Sequence, residues 1–344
     1  MPWMAEARSV FDELVIFIDE NRVKTGTVDR AKEVGSRVHL YKADTWYEWD
    51  LEAKARACDS EWVFQIEYDE QLSPEWQQGG WRQLLETTEF THFWIARRWT
   101  VPGGGYICDP PWWPDFQLRL FRNHLEGATF PTKLHERIRV PGPGASFRSL
   151  MIYHHVLALC SRAEREDRVR RYEEMRPGEG GGHYYSYEKY HPSEAPLPGP
   201  TSPDCESEVI RMDSLPREKI LDISINVKSA PSDVAVSEMF WLDVELTNAT
   251  RDPIYSCPPF PVRLTYHWLD EATRLMVVFE GERSGIFPCA PATSITPWRM
   301  AVIAPNEPGG YALQVTLVQD GVRWFEDVNP DILQEFSVRV KPVS

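Results

Sequence analysis

Glu61-Trp62-Val63-Phe64-Gln65-Ile66-Glu67-Tyr68-Asp69-Glu70-Gln71-Leu72-Ser73-Pro74-Glu75 is an apolar strand that runs directly into a group of carboxylates. A short strand ending in closely spaced acids, followed by a Ser-Pro that opens a helix, presents hard oxygen ligands at the carboxyl edge of a sheet. In open α/β folds that edge is where ligands sit.

Upstream, Glu13-Leu14-Val15-Ile16-Phe17-Ile18-Asp19-Glu20 reads as a buried parallel strand ending in acids. A loop over Asn21 to Thr27, a helix over Val28 to Gly35 and a strand over Ser36 to Tyr41 complete a right-handed βαβ unit. Asp19 and Asp69 both stand at strand ends. In one shared sheet their carboxylates face the same crevice, and each alone also reads as the cap of the following helix.

Downstream, Trp76 to Leu85 is predicted helical, and Phe90 to Trp99 is predicted to be a strand ending in Arg97-Arg98. Trp112-Trp113, before Pro114-Asp115, reads as a surface for a sugar or for a neighbouring helix. Arg119 and Arg122 are expected on one strand face, serving either the fold or a diphosphate. Met151-Ile152-Tyr153-His154-His155 precedes a highly charged helix over Arg162 to Tyr172.

The 344 residues allow two domains, and a net charge of −15 disfavours a nucleic-acid partner. The six cysteines are widely spaced and read as free thiols in a reducing compartment. With no leader-like segment and no apolar run long enough to span a bilayer, the expectation is a cytoplasmic protein without a transmembrane segment. Fourteen tryptophans serve cores or sugar platforms.

The runs Phe11 to Thr27, Trp62 to Glu70 and Trp113 to Arg122 together resemble a family 2 glycosyltransferase of the GT-A (Rossmann-like) α/β fold, over roughly residues 8 to 175. The resemblance implies that Asp19, Glu20 and Asn21 stand where the family holds the nucleotide. It implies that Glu67-Tyr68-Asp69-Glu70 is the "DxDE" segment, with Asp69, Glu67 and His154 binding Mg²⁺ or Mn²⁺. A divalent ion there would neutralise a departing nucleotide diphosphate. Glu70, Asp115, Arg119 and Trp113 would contact diphosphate or substrate. Glu136, in Lys133-Leu134-His135-Glu136-Arg137, would be the base of an inverting transfer, and an ion pair with Arg137 is its ordinary alternative. Family members begin with a further strand and an "NEE"-like loop, which this sequence starts too late to contain.

Residues 177 to 217 are rich in Pro, Gly and Tyr and read as a linker between a transferase-like domain at 1–176 and a β domain at 218–344. From Ile223 to Val340, seven short alternating segments punctuated by Pro, Gly and Asn predict an antiparallel β-sandwich. Leu264 to Asp270, Pro305 to Tyr311 and Leu317 to Phe325 resemble the immunoglobulin-like domains of bacterial surface-polysaccharide proteins. Trp324 is thereby a candidate glycan platform. Trp268, in phase with Leu264 and Tyr266, is expected in the core.

Two readings follow. One is a metal-dependent glycosyltransferase of surface polysaccharide synthesis, moving a sugar from a nucleotide-sugar donor to a glycan, lipid-linked or protein acceptor. The other is a non-catalytic glycan-binding protein carrying a degenerate transferase domain.

Overall fold

The computed structural model describes residues 3–21, 23–35, 37–42, 50–132, 136–177, 180–198 and 208–342. His135, Cys205 and the segment preceding Asp50 lie outside the described residues. The chain folds as two compact units. The first is Met1–Tyr106, Phe116–Ser186 and Pro196–Val209, and the second is Ile107–Asp115, Tyr187–Ala195 and Ile210–Ser344. Two segments placed by sequence in the first domain or the linker, residues 107–115 and 187–195, therefore belong to the second unit.

In the first half of the chain the helices are α1 (Trp3–Val10), α2 (Thr27–Val34), α3 (Leu51–Arg56), α4 (Gly80–Thr87), α5 (Val156–Leu159), α6 (Arg162–Met175) and α7 (Gly182–Tyr185). The strands are β1 (Val15–Asp19), β2 (Arg37–Tyr41), β3 (Trp62–Phe64), β4 (Glu70–Leu72), β5 (His92–Trp99), β6 (Gly105–Ile107), β7 (Asp115–Arg122), β8 (Gly144–His154), β9 (Glu194–Pro196) and β10 (Val209–Ile210). β1 and β2 pair in parallel as predicted, but as a separate two-stranded sheet. The main sheet runs β10-β8-β5-β7-β3, with β4 also on β8.

These pairings overturn the GT-A expectation. A Rossmann-like sheet is largely parallel and would carry β1 and β3 side by side. Here β3 pairs antiparallel with β7, β4 pairs antiparallel with β8, and β5 and β8 run parallel. Asp19 and Asp69 thus do not share a sheet edge. Among the described residues strand makes up 38% and helix 21%, so they are predominantly β.

The first unit's core is aromatic. Trp76, Trp81, Phe93 and Phe147 pack with Leu72, Ile95, Leu120 and Ile152. Trp76 meets Phe64 and Trp81 edge-on, at centroid distances of 4.8 and 5.3 Å, the geometry favoured by ring quadrupoles. Its indole N–H, which burial would otherwise strand, donates to the Met151 carbonyl at 3.0 Å.

The second unit contains α8 (Arg217–Ile220) and β11 (Ile223–Val227), β12 (Asp233–Ala235), β13 (Met239–Asn248), β14 (Val262–Asp270), β15 (Met276–Val278), β16 (Ser284–Gly285), β17 (Ser294–Ile303), β18 (Gly309–Gln319), β19 (Arg323–Trp324) and β20 (Gln334–Lys341). They form a sandwich of a β11-β13-β17 sheet and a β12-β20-β18-β14-β15 sheet, the latter with β16 on β14 and β19 on β18. Period-2 alternation sends Leu242, Val244 and Leu246 of β13 and Leu264, Tyr266 and Trp268 of β14 inward, all fully or nearly fully buried. The Trp268 indole N–H crosses between the sheets to the Ile303 carbonyl at 2.9 Å. Trp268 is therefore a core residue, as its phase predicts.

Candidate functional site

Glu67, Asp69 and Glu70 of the opening stretch are engaged by cations of the same unit. Glu70 stands on β4 directly opposite His154 of β8, and its side chain is completely buried. Its Oε1 accepts from Arg119 Nη2 at 2.6 Å and Arg97 Nη1 at 3.2 Å, and its Oε2 accepts the Glu67 backbone N–H at 3.0 Å. Glu67 lies 3.6 Å from Arg119 and accepts from Gln65 at 2.8 Å. Asp69 Oδ2 is 3.5 Å from Arg168 Nη1 of α6. Burial, assisted by Glu70 and Glu67 and opposed by Arg168, pushes the Asp69 carboxyl up to about 6.

A divalent ion does not fit this arrangement. Three guanidinium groups line the three carboxylates, so a cation among them would meet like charge at short range. His154 offers no lone pair either. Its Nδ1 takes the Arg97 N–H at 3.2 Å, which leaves the hydrogen on Nε2, a buried atom without a hydrogen-bond partner. Burial first, and the neighbouring arginines second, hold His154 neutral, well below the usual histidine range. Among the described residues no group of three or more His, Cys, Asp or Glu side chains is placed to hold a metal. Arg119 and Arg122, three apart on a strand, leave opposite faces. Arg119 meets Glu70, whereas Arg122 pairs with Glu61 and covers the Trp62 ring.

The other residues assigned through the transferase resemblance are dispersed. Asp19 accepts the Asn21 N–H at 3.1 Å in a local turn beyond β1, and Glu20 lies 3.9 Å from Lys42. Glu136 is exposed and accepts the Thr132 backbone N–H at 3.1 Å. Trp113 and Asp115 belong to the second unit, where Trp113 meets Phe287 edge-on at 5.4 Å. Its neighbour Trp112 is fully buried.

Trp324 has a different setting. On the outer face of the β14-β18-β20 sheet, His267, Gln314 and Glu335 stand in one cross-strand row, since His267 is opposite Gln314 and Gln314 is opposite Glu335. Trp324 and Phe279 close over the His267 ring at centroid distances of 4.6 and 5.1 Å, and lie 5.1 Å from each other at 56°. Phe279 is 52% exposed, and Leu275, Met276 and Val277 beside it are exposed too.

Buried hydrogen bonds fix this pair from beneath. His267 Nδ1 faces the Phe279 carbonyl, and its Nε2 faces Glu326 Oε1 at 3.0 Å. Glu326 also accepts from Thr316 Oγ1 at 2.6 Å. Although burial alone would raise the Glu326 carboxyl, the His267 and Thr316 bonds hold it below the usual range. At the far end of the row Arg274 grips Glu335 with both guanidinium nitrogens, at 2.9 and 2.5 Å, and Gln314 donates to the same carboxylate at 2.8 Å.

Of this surface, sequence reading singled out Trp324 alone. The available signal for the rest was polar residues at the outward phase of β14 and β18, Thr265 and His267 against Gln314 and Thr316, where a solvated face has no need of a buried histidine.

No protein-family model matches the chain, and no curated protein matches it. Among solved structures, similarity is found to a β-glucosidase mutant from Listeria innocua at 11% identity, covering 35% of this chain and 16% of that one, with a TM-score of 0.24. A CARDB domain from Pyrococcus furiosus, solved with di-metal ions, matches at 14% identity over 36% of this chain and 94% of that one, with a TM-score of 0.24. A Pseudomonas fluorescens alkylpurine DNA glycosylase matches at 12% identity over 35% of this chain and 30% of that one, with a TM-score of 0.23. The chain thus spans less than a fifth of the glucosidase. At these scores none of the three bears on what the chain does.

Proposed function

We propose that the protein is a non-catalytic glycan-binding protein whose recognition surface is the outer face of the seven-stranded sheet. The observation that carries this reading is the Phe279–Trp324 pair, fixed in orientation on His267 beside a row of planar polar side chains. Aromatic faces take the apolar C–H faces of sugar rings, and planar amide, carboxylate and guanidinium groups take paired hydroxyls. Rigid rings supply contact area at little entropic cost. The internal pairing of Glu67, Asp69 and Glu70 with arginines supports the non-catalytic part of the reading.

Affinity electrophoresis of the full chain through gels containing soluble neutral polysaccharides tests it, with cellulose, xylan, mannan and starch derivatives as probes. Retardation by at least one of them, lost in Phe279→Ala and in Trp324→Ala, is the expected result. Phe279 is half exposed, so its variant should fold. Retardation unchanged in both variants, or none in the wild type, would sink the reading.

A further inference from the structure

The recognition surface has two stations, and their separation says what kind of glycan fits. The aromatic station is centred on His267 of β14. The polar station is Glu335 of β20, held by Arg274 from the turn between β14 and β15 and by Gln314 of β18. His267 and Glu335 lie at the ends of a three-strand row, so their backbones are two strand spacings apart, about 9–10 Å across the sheet. A ring seated on Phe279 and Trp324 over His267 leaves Glu335 two strands away. A chain of sugars lying across the strands reaches both.

Charge selects among such chains. His267 meets Glu326 at 3.0 Å beneath the aromatic pair, and the Arg274 guanidinium is paired with Glu335 at the polar station. Neither station therefore carries net positive charge, on a chain whose formal net charge is −15. An acidic polysaccharide would find no uncompensated cation there and would approach a negative protein. The Arg274 guanidinium keeps donors beyond the two that hold Glu335, set in a fixed plane suited to neighbouring hydroxyl oxygens.

Resting on the glycan-binding reading, we infer that the ligand is a neutral oligosaccharide chain of at least three sugar units laid across β15, β14, β18 and β20. Phe279 and Trp324 hold one ring, and Arg274 with Glu335 holds hydroxyls of a ring further along. Binding energy therefore grows with chain length until both stations are filled, then stops growing.

Calorimetric titration of the full chain with the mono-, di- and hexasaccharides of the cello, malto and xylo series, and with a hexagalacturonate, provides the test. In the series that binds, the hexasaccharide should be about tenfold or more tighter than the disaccharide, and the hexagalacturonate weaker than either. Arg274→Ala and Glu335→Ala should each weaken the hexasaccharide several-fold and leave the disaccharide unchanged, whereas Phe279→Ala should weaken both. Affinity independent of chain length, a preference for the hexagalacturonate, or an Arg274→Ala variant that binds the hexasaccharide normally would overturn this inference while leaving the glycan reading intact. Absence of any glycan binding would remove both.

Discussion

Replacing Asp69 by Asn should stabilise the protein, and the gain should depend on pH in a defined sense. Burial holds the Asp69 carboxyl at about 6, against about 3.9 in an unfolded chain. The folded state thus binds this proton more tightly than the unfolded state. Stability falls as pH rises from about 4 to about 6, and the penalty persists above that window. That displacement corresponds to about 3 kcal/mol, with the attraction of Arg168 already counted. Asparagine keeps the shape and an acceptor for Arg168, and resembles the protonated acid. At about pH 7.5 the variant should gain about 2–3 kcal/mol, seen as a rise of roughly 5–10 °C in the melting transition of the first unit. At about pH 4.5, where the wild-type carboxyl is largely protonated, most of the gap should close. Differential scanning calorimetry at both pH values measures it. A variant less stable than wild type at the higher pH, or a gap that is the same at both, would refute the account of Asp69 as a buried carboxylate under electrostatic penalty.

Glu70→Gln should have the opposite sign, because it breaks a fully buried acid away from Arg119 and Arg97. A loss of about 3–5 kcal/mol in urea unfolding is expected, and a loss below about 1 kcal/mol would contradict the buried network. Burial lowers His92 to about 4, so the folded state binds that proton more weakly than the unfolded chain. It should shed about 3 kcal/mol as pH falls from about 6.5 to about 4, and His92→Gln should flatten this limb of the stability profile. Trp268→Ala should cost about 3–5 kcal/mol through cavity formation and the lost bond to Ile303, and the loss should appear in the second unit's transition alone.

The second unit was the more legible from sequence. Apolar residues recur at every second position from Leu242 to Leu246 of β13 and from Val262 to Trp268 of β14, and the phase that buries Leu264, Tyr266 and Trp268 can be read directly from residue order. The first unit misled because its decisive contacts are non-local. Glu67, Asp69 and Glu70 form a visible group, but the arginines that neutralise them arrive from β5, β7 and α6, which no local pattern connects to β4. Helix α6 illustrates the difficulty. Its inward stripe is Arg165, Arg168, Val169 and Tyr172, so a face that packs against the protein carries the residues expected of a solvated one. The sheet-face site was hidden for a related reason. His267, Gln314 and Glu335 become neighbours only through strand register, and Phe279 reads as one more residue of an apolar run.

The most direct test of the central claim is a hydrogen-exchange footprint of the full chain saturated with the tightest-binding neutral hexasaccharide. Added protection should fall on the segments containing Arg274 to Phe279, Gln314, Trp324 and Glu335, with no change around Glu67 to Glu70, His154 and Arg168. Protection at the latter group, with the sheet face unaffected, would contradict the account.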